Sequence, residues 1–406
     1  MKQYNAKNIL NIALAGHGGA GKTSIIESML YLSGASDRLG KIADGNTICD
    51  FDPEEVKRKA SVSTAVAPVE WKNKKLNFID TPGLFDFEGG LWEGVRAADT
   101  VMIAVSGKNG VSVGTEKAVK AAESRGLSKV FFVNGLCDES ARFYRVFETL
   151  KASFGPSVCP VVVPFIVDGQ ANCYVNLLEY KAYAYSPDGK VSEVPMPDMG
   201  DRLEGLRTAI YEAVAETSDE MFEKYFSGEA FTPEEVIVGV SRGVKSGAIS
   251  PVFCGDAINT FGIDQLLNGL VWLAPSAAEK SDEIGLDPDG NMVELSVNED
   301  GAPAAVVFKT IADPFVGKLS YFKVISGKVS PETPLVNMRT GNQERISKVM
   351  TVKGKKQEDA AYIGAGDIGA APKLQNTNTG DTLCSPVRKV CLLYTSPSPR
   401  DGATSR

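Results

Sequence analysis

Gly16-His17-Gly18-Gly19-Ala20-Gly21-Lys22-Thr23, with Ser24 behind it, is the stretch on which the reading of this chain turns. In the pattern G-x-x-x-x-G-K-T, glycines let main-chain N–H groups turn inward around an anion. Lys22 adds a cation for the outer phosphates, and the Thr23 hydroxyl is a ligand for Mg2+. The flanks give the loop its setting. Residues 9–15 are an apolar run that reads as a strand, and residues 23–32 carry Ile25, Ile26, Met29 and Leu30 on one helical face. A helix starting at the loop adds its dipole to the field on a bound phosphate.

Working outward, short apolar runs recur at 76–79, 101–105 and 130–133, separated by helical stretches such as 115–124. Strands alternating with helices predict an α/β fold with a doubly wound parallel sheet. The texture changes over about 165–248, with a turn at 187–189, Pro195-Met196-Pro197 and amphipathic helices through 203–226. This reads as an α+β insertion. The sheet pattern returns at 251–254, and 261–273 reads as a closing helix. The expected organisation is a phosphate-binding domain over 1–278, a linker over 279–302 and a small β-barrel over 303–388. The barrel's β-type runs fall at 305–310, 319–325, 345–349 and 367–371. Residues 391–406 lack hydrophobic periodicity and resemble a translated sequencing adapter, so they are expected to be a non-native tail.

Composition narrows the function classes. A net charge of −8 over 406 residues argues against nucleic acid wrapped along the whole surface. Seven dispersed cysteines and a single histidine give no zinc-type spacing. No apolar stretch approaches 18 residues and the start, MKQYNAKN, has no signal-peptide core, so a cytoplasmic protein with no membrane contact is expected. A second motif, Asp80-Thr81-Pro82-Gly83, follows the run at 76–79. An Asp at that strand end holds magnesium through water, and the Gly83 N–H senses a γ-phosphate.

These motifs, together with residues 134–143, 377–384 (TNTGDTLC), Ala213-Val214-Ala215-Glu216-Thr217 with Glu220, Glu223, Lys224 and Tyr225, and Gly364-Ala365-Gly366-Asp367-Ile368, resemble elongation factor G over about residues 8–388. The likeness is nearest to the divergent, paralogous branch of that family. It implies a P-loop GTPase domain with an insertion, followed by the translation-factor β-barrel, domain II. It also implies GTP or GDP with Mg2+ as ligands, a ribosome as partner through both domains, and a monomer that hydrolyses GTP to drive translocation or a related step. By the same resemblance Lys22 and Gly83 are the catalytic candidates. The nucleotide candidates are Gly16, His17, Gly18, Gly19, Ala20, Gly21, Lys22, Thr23, Ser24, Asp80, Thr81, Pro82, Gly83, Asn134, Asp138, Gly255 and Ala257. The metal candidates are Thr23, Ser61 and Asp80.

Several positions depart from the family pattern. Its N-K-x-D base reader stands here as Asn134-Gly135-Leu136-Cys137, with Asp138 one place late. A thiol is a weak hydrogen-bonding partner. Either Asp138 takes the role or guanine specificity is relaxed. Leu84 stands where the family has a water-positioning His, a function worth about 10²–10⁴ in rate. Ser61 replaces a metal-binding Thr and keeps the hydroxyl. In Cys254-Gly255-Asp256-Ala257, the Ala257 N–H is expected to meet guanine O6, while Asp256 either alters specificity or faces the surface. Asp52, Glu54 and Glu55 read as a solvated acidic stretch. Lys72, Lys74 and Lys75 read as a solvated turn or a ribosomal RNA contact. Leu84 and Cys137 keep open a hydrolysis-impaired, nucleotide-gated ribosome binder or a P-loop NTPase of broad base tolerance, and the shared layout keeps open a ribosomal-protection-type factor.

Overall fold

The computed structural model describes residues 2–186, 189–280, 282–313 and 317–393. The turn expected at 187–189 lies largely outside them, as does the expected tail from 394 onward.

The first domain is a seven-stranded sheet. Its members are β1 (Ile9–Gly16), β2 (Ala65–Trp71), β3 (Lys74–Asp80), β4 (Thr100–Ser106), β5 (Ser128–Asn134), β6 (Val158–Pro160) and, after the insertion strands, β11 (Ser250–Cys254). The order is β2-β3-β1-β4-β5-β11-β6. β1 pairs in parallel with β3 and β4, and only the β2–β3 hairpin is antiparallel. Helices cover the sheet, so its central strands are buried throughout, which is why they read as unbroken apolar runs. β1 and β3 both end at the mouth of the loop Gly16–Gly21 and deliver the two phosphate-type motifs side by side: Leu14 is in register with Asp80.

The insertion is an antiparallel sheet of β7 (Val162–Val167), β8 (Gln170–Asn176), β9 (Lys181–Tyr185) and β10 (Val191–Val194), followed by helices Asp201–Ala215 and Asp219–Phe226. It therefore begins before the expected 165, because Phe165 sits inside β7. Helix Pro233–Ser246 starts with a capping box between Thr232 and Glu235, with Pro233 at its first position, and leads back to β11.

The expected linker is ordered structure. β12 (Glu283–Leu286) and β13 (Met292–Leu295) form a hairpin inside residues 279–302, and Cys391–Leu392 adds a third strand to it. The polar residues that suggested a linker make its turn: Asp287 Oδ1 accepts the N–H groups of Asp289 and Asn291. Glu283 is buried among Arg96, Arg125 and Lys280. Residues 391–393, assigned to the tail from sequence, thus belong to the fold, with Leu392 buried.

The β domain is built on β14 (Ala304–Asp313) and β15 (Gly317–Ser326), the centre of an eight-stranded sheet. Its period of two is explicit. Ala305 and Val307 face one apolar cluster with Phe322 and Leu335, whereas Ala304 and Val306 face another with Leu295 and Leu392. The expected strand at 345–349 is the connection between strands Gln343–Arg345 and Val349–Lys353, and its apolar signal came from Ile346, which plugs the core.

Buried charges join the two domains. Lys75 binds both carboxylate oxygens of Asp367 at 2.8 Å, and Lys323 binds Asp99 at 2.5 Å. Lys75 is thus no solvated turn residue. Lys72 lies over the Trp272 ring, and Lys74 donates to Lys7 O.

Candidate functional site

The loop conformation follows from its glycines. Gly21 has φ of +87°, and a Cβ there would lie 2.2 Å from Asn134 Nδ2. A Cβ on Gly16, φ +133°, would lie 2.4 Å from Ala104 O. Only glycine satisfies both demands. Gly21 also caps helix Lys22–Leu32 without any side-chain hydrogen bond, which leaves the helix's first N–H groups for a ligand.

Beside this helix end lies a cavity of about 620 Å³, lined by Gly18 to Ser24, Ser61, Gly83, Leu84, Asn134, Asp138 and Asp256 among others. That volume suits a small-molecule site. The structure thus gathers on one wall residues that are more than two hundred positions apart in the chain. Of the sequence candidates, Gly16, His17, Asp80, Thr81, Pro82, Gly255 and Ala257 lie outside this wall. Asp80 stands directly behind it, its Oδ2 accepting from the Thr23 hydroxyl at 2.7 Å. Thr81 donates to Leu14 O, and Pro82 packs on Gly90. His17 turns its ring toward Phe85, with centroids 5.8 Å apart.

At the phosphate end, Lys22 is buried and donates to Gly16 O and His17 O, both at 3.1 Å. Burial lowers its pKa, against the pull of Asp80 and Asp50. The Thr23 and Ser61 hydroxyls are 3.1 Å apart. Burial pushes Asp80 up to about 7, and its Oδ1 has no partner. Asp50, also buried in the wall, lies beside the Ser61 hydroxyl, and burial raises its pKa too. Two hydroxyls and two carboxylates are a hard-oxygen donor set, which fits Mg2+ and not a soft metal. Sequence reading missed Asp50. It also misjudged the segment that follows. Asp52 and Glu55 form a capping box on helix Pro53–Arg58, and buried Glu55 accepts the N–H groups of Val62 and Ser63, fixing the chain beside Ser61. The spacing of Asp52 and Glu55 was the available signal.

Gly83 closes on the loop so tightly that a Cβ would lie 2.3 Å from Lys22 Nζ and 2.8 Å from Gly18 N. Leu84 is 40% exposed and lies against Gly18, so an alkyl group occupies the wall next to Gly83. Asp86 is exposed and absent from the lining.

At the opposite end, Asn134 ties three loops together. Its Nδ2 donates to Ala20 O, and its Oδ1 accepts the Ala257 N–H, both at 3.0 Å. The Ala257 N–H, expected to face a base, is therefore engaged by Asn134. Asp138 is at the exposed rim, 3.5 Å from Lys108, accepting the Ser140 N–H. Asp256 is buried in the wall and does not face the surface. The Cys137 thiol is pushed up to about 11 by burial and by Asp256, so it stays protonated.

The family described as elongation factor Tu GTP binding domain matches residues 7–276, and elongation factor G domain 2 matches residues 302–386. The chain is 34% identical over 397 residues to elongation factor G 1 of Bdellovibrio bacteriovorus, an alignment covering 96% of this chain and 56% of that protein. It is 32% identical over 386 residues to elongation factor G of Ureaplasma parvum, covering 94% of this chain and 56% of the relative. A crystal structure of a Thermus thermophilus protein superposes with a TM-score of 0.82 at 29% identity, over 99% of this chain and 56% of that one. The chain spans about half the length of the curated relatives it matches. No helix among the described residues is long and apolar enough to cross a membrane.

Proposed function

This chain belongs to the family of translation-factor GTPases, carrying the elongation factor Tu GTP binding domain and elongation factor G domain 2, and on that premise we propose that it binds GTP and GDP with Mg2+ and hydrolyses GTP on the ribosome. The step driven is translocation or a related ribosomal event. One observation carries this reading: a single cavity wall collects the loop Gly18–Ser24, Ser61, Gly83 and Asn134 around one helix N-terminus.

In this reading the loop N–H groups and Lys22 hold the phosphates and draw off charge as it develops on them. Lys22 gives up its bonds to Gly16 O and His17 O to do so. Thr23, Ser61, Asp80 and Asp50 would hold Mg2+, which supplies further charge neutralisation there. Gly83, already against Lys22 and Gly18, is placed to register a γ-phosphate by moving. The test is phosphate release by the full-length protein with and without ribosomes. Ribosome-stimulated release is expected, and its absence overturns the enzymatic reading.

Leu84 supports a second reading, a nucleotide-gated ribosome binder with slow hydrolysis. An alkyl side chain cannot orient water, and Asp86, two residues on, is absent from the lining. Nucleotide-dependent ribosome binding with little phosphate release would favour it. Turnover matching that of an elongation factor G from the same assay would exclude it.

A further inference from the structure

We propose that Asp256, not Asp138, selects the base, by accepting the ring N1–H of a 6-oxopurine; this rests on the nucleotide-binding reading above. Four observations carry the inference. Asp256 is 4% exposed yet lines the cavity at the end away from Lys22. None of the ion pairs among the described residues neutralises it, so a buried carboxylate stands in the wall without a cation. Its orientation is fixed: Oδ1 accepts both the N–H and the Nδ2 of Asn259, at 3.0 and 2.9 Å. Its Oδ2 accepts the Cys137 N–H, at 3.2 Å.

A carboxylate offers about four acceptor positions. N–H donors fill three, and the remaining one is on Oδ2, beside Cys137. The Cys137 thiol also reaches this carboxylate, but a thiol is a weak donor that a base N–H displaces. The carboxylate missing at 137 is thus supplied from the facing loop and anchored by the main chain of the residue that lacks it. Asp138, by contrast, spends its charge on exposed Lys108 at the rim.

The number of available positions sets the specificity. Guanine and hypoxanthine both present N1–H and can fill one acceptor. Adenine presents a lone pair at N1, which cannot fill the remaining acceptor position and is repelled by Oδ2. With a single position, the guanine 2-amino group gains no second bond from Asp256. GDP and IDP are therefore expected to bind within about tenfold of each other. Both should exceed ADP by about 10–100-fold, what a hydrogen bond to a charged group is worth.

The experiment is displacement of a fluorescent GDP analogue from the 406-residue chain by GDP, IDP and ADP at fixed Mg2+. Asp256→Asn is expected to collapse the GDP-to-ADP affinity ratio by about tenfold or more, with its melting profile recorded to show that it folds. The double variant Cys137→Asp/Asp256→Ser returns the carboxylate to the other loop and is expected to raise GDP over IDP. Asp256→Ser alone, read by the same GDP-to-ADP ratio, decides the matter even should Asp256→Asn not fold. The proposal is overturned by a wild-type chain that binds GDP, IDP and ADP alike. It is equally overturned by collapse of the ratio in Asp138→Ala with its retention in Asp256→Asn. Failure of the wild-type chain to bind any of the three nucleotides would instead refute the nucleotide-binding reading itself.

Discussion

Replacing Lys323 by Met should destabilise the protein more than replacing its partner Asp99 by Asn, although the two share one hydrogen bond. Both side chains are fully buried where the β domain meets the first domain, with Lys323 Nζ 2.5 Å from Asp99 Oδ1. Removing one partner of a buried pair typically costs ~3–5 kcal/mol. After Lys323→Met, Asp99 still has Asn11 Nδ2 at 2.7 Å and Lys280 Nζ at 3.8 Å, which places the cost near the lower bound, about 3 kcal/mol. After Asp99→Asn the amine can escape by losing its proton. Burial already lowers Lys323 to about 8, so shedding its proton at pH 7 adds only about 1.4 kcal/mol. The expected loss is therefore ~1–2 kcal/mol. Replacing both, Asp99→Leu with Lys323→Met, should lie within about 1 kcal/mol of wild type, since apolar substitutes recover the desolvation cost. Urea unfolding at pH 7 followed by tryptophan fluorescence gives all three values, provided the slope is shared. Equal losses in the single variants, or a double variant worse than either, would refute the reasoning.

The same lysine sets a pH dependence: with its folded pKa near 8, the unfolded chain holds more protons between about 8 and 10.4. Stability should rise with pH across that window, and the rise should vanish in Lys323→Met, as urea midpoints at successive pH values would reveal. Glu27 has the opposite sign. Burial pushes its carboxyl from 4.5 up to about 7, so its contribution is present at low pH and lost as pH rises through 7. Glu27→Gln keeps an acceptor for the Ile48 and Cys49 N–H groups and should remove that loss, giving a protein more stable than wild type at pH 8. A destabilised Gln variant at pH 8 would contradict this. Leu84→His places a polar group in the wall next to Gly83 and should raise phosphate release by about 10², the lower end of what a positioned acid–base group contributes. An unchanged single-turnover rate would show that water positioning is not what this site lacks.

Much of this fold was legible because its signals are local. The strand before Gly16, the glycine loop and the helical face after it are set by backbone sterics and burial, and so they survive in sequence. The hairpin at β12 and β13 was not legible, because its turn residues read like a linker and its buried carboxylate is satisfied by distant partners. Glu283 looks like a linker residue until Arg96 and Arg125 are folded against it. The same holds for Lys75, whose anion is Asp367 in the other domain. At the site, the phosphate end was readable from motif spacing. Asp50 was not, since nothing in its neighbours in sequence brings it to Thr23 and Asp80. At the base end, Cys137 announced a loss, but the compensation stands far along the chain at Asp256, and only tertiary structure brings the two together.

These two ends are joined mechanically as well as by a common cavity. Asn134 links the glycine loop through Ala20 to the loop at Ala257, so displacement of the base end bears on the phosphate end. On the other side, Ser61 touches Thr23, and two residues later Ser63 and Thr64 are held by Lys309 of β14. Glu55 clamps the N–H groups of the intervening Val62 and Ser63. Movement of Ser61 relative to Thr23 therefore strains either the Glu55 clamp or the Lys309 contact. Burial depresses the pKa of Lys309, so losing the oxygens of Ser63 and Thr64 would strip a buried ammonium of two hydrogen-bond acceptors, leaving it the charges of Glu93 and Glu55 and the Tyr321 ring. Under the nucleotide-binding reading proposed above, that penalty would favour a stepwise over a gradual change in this segment when a phosphate is gained or lost.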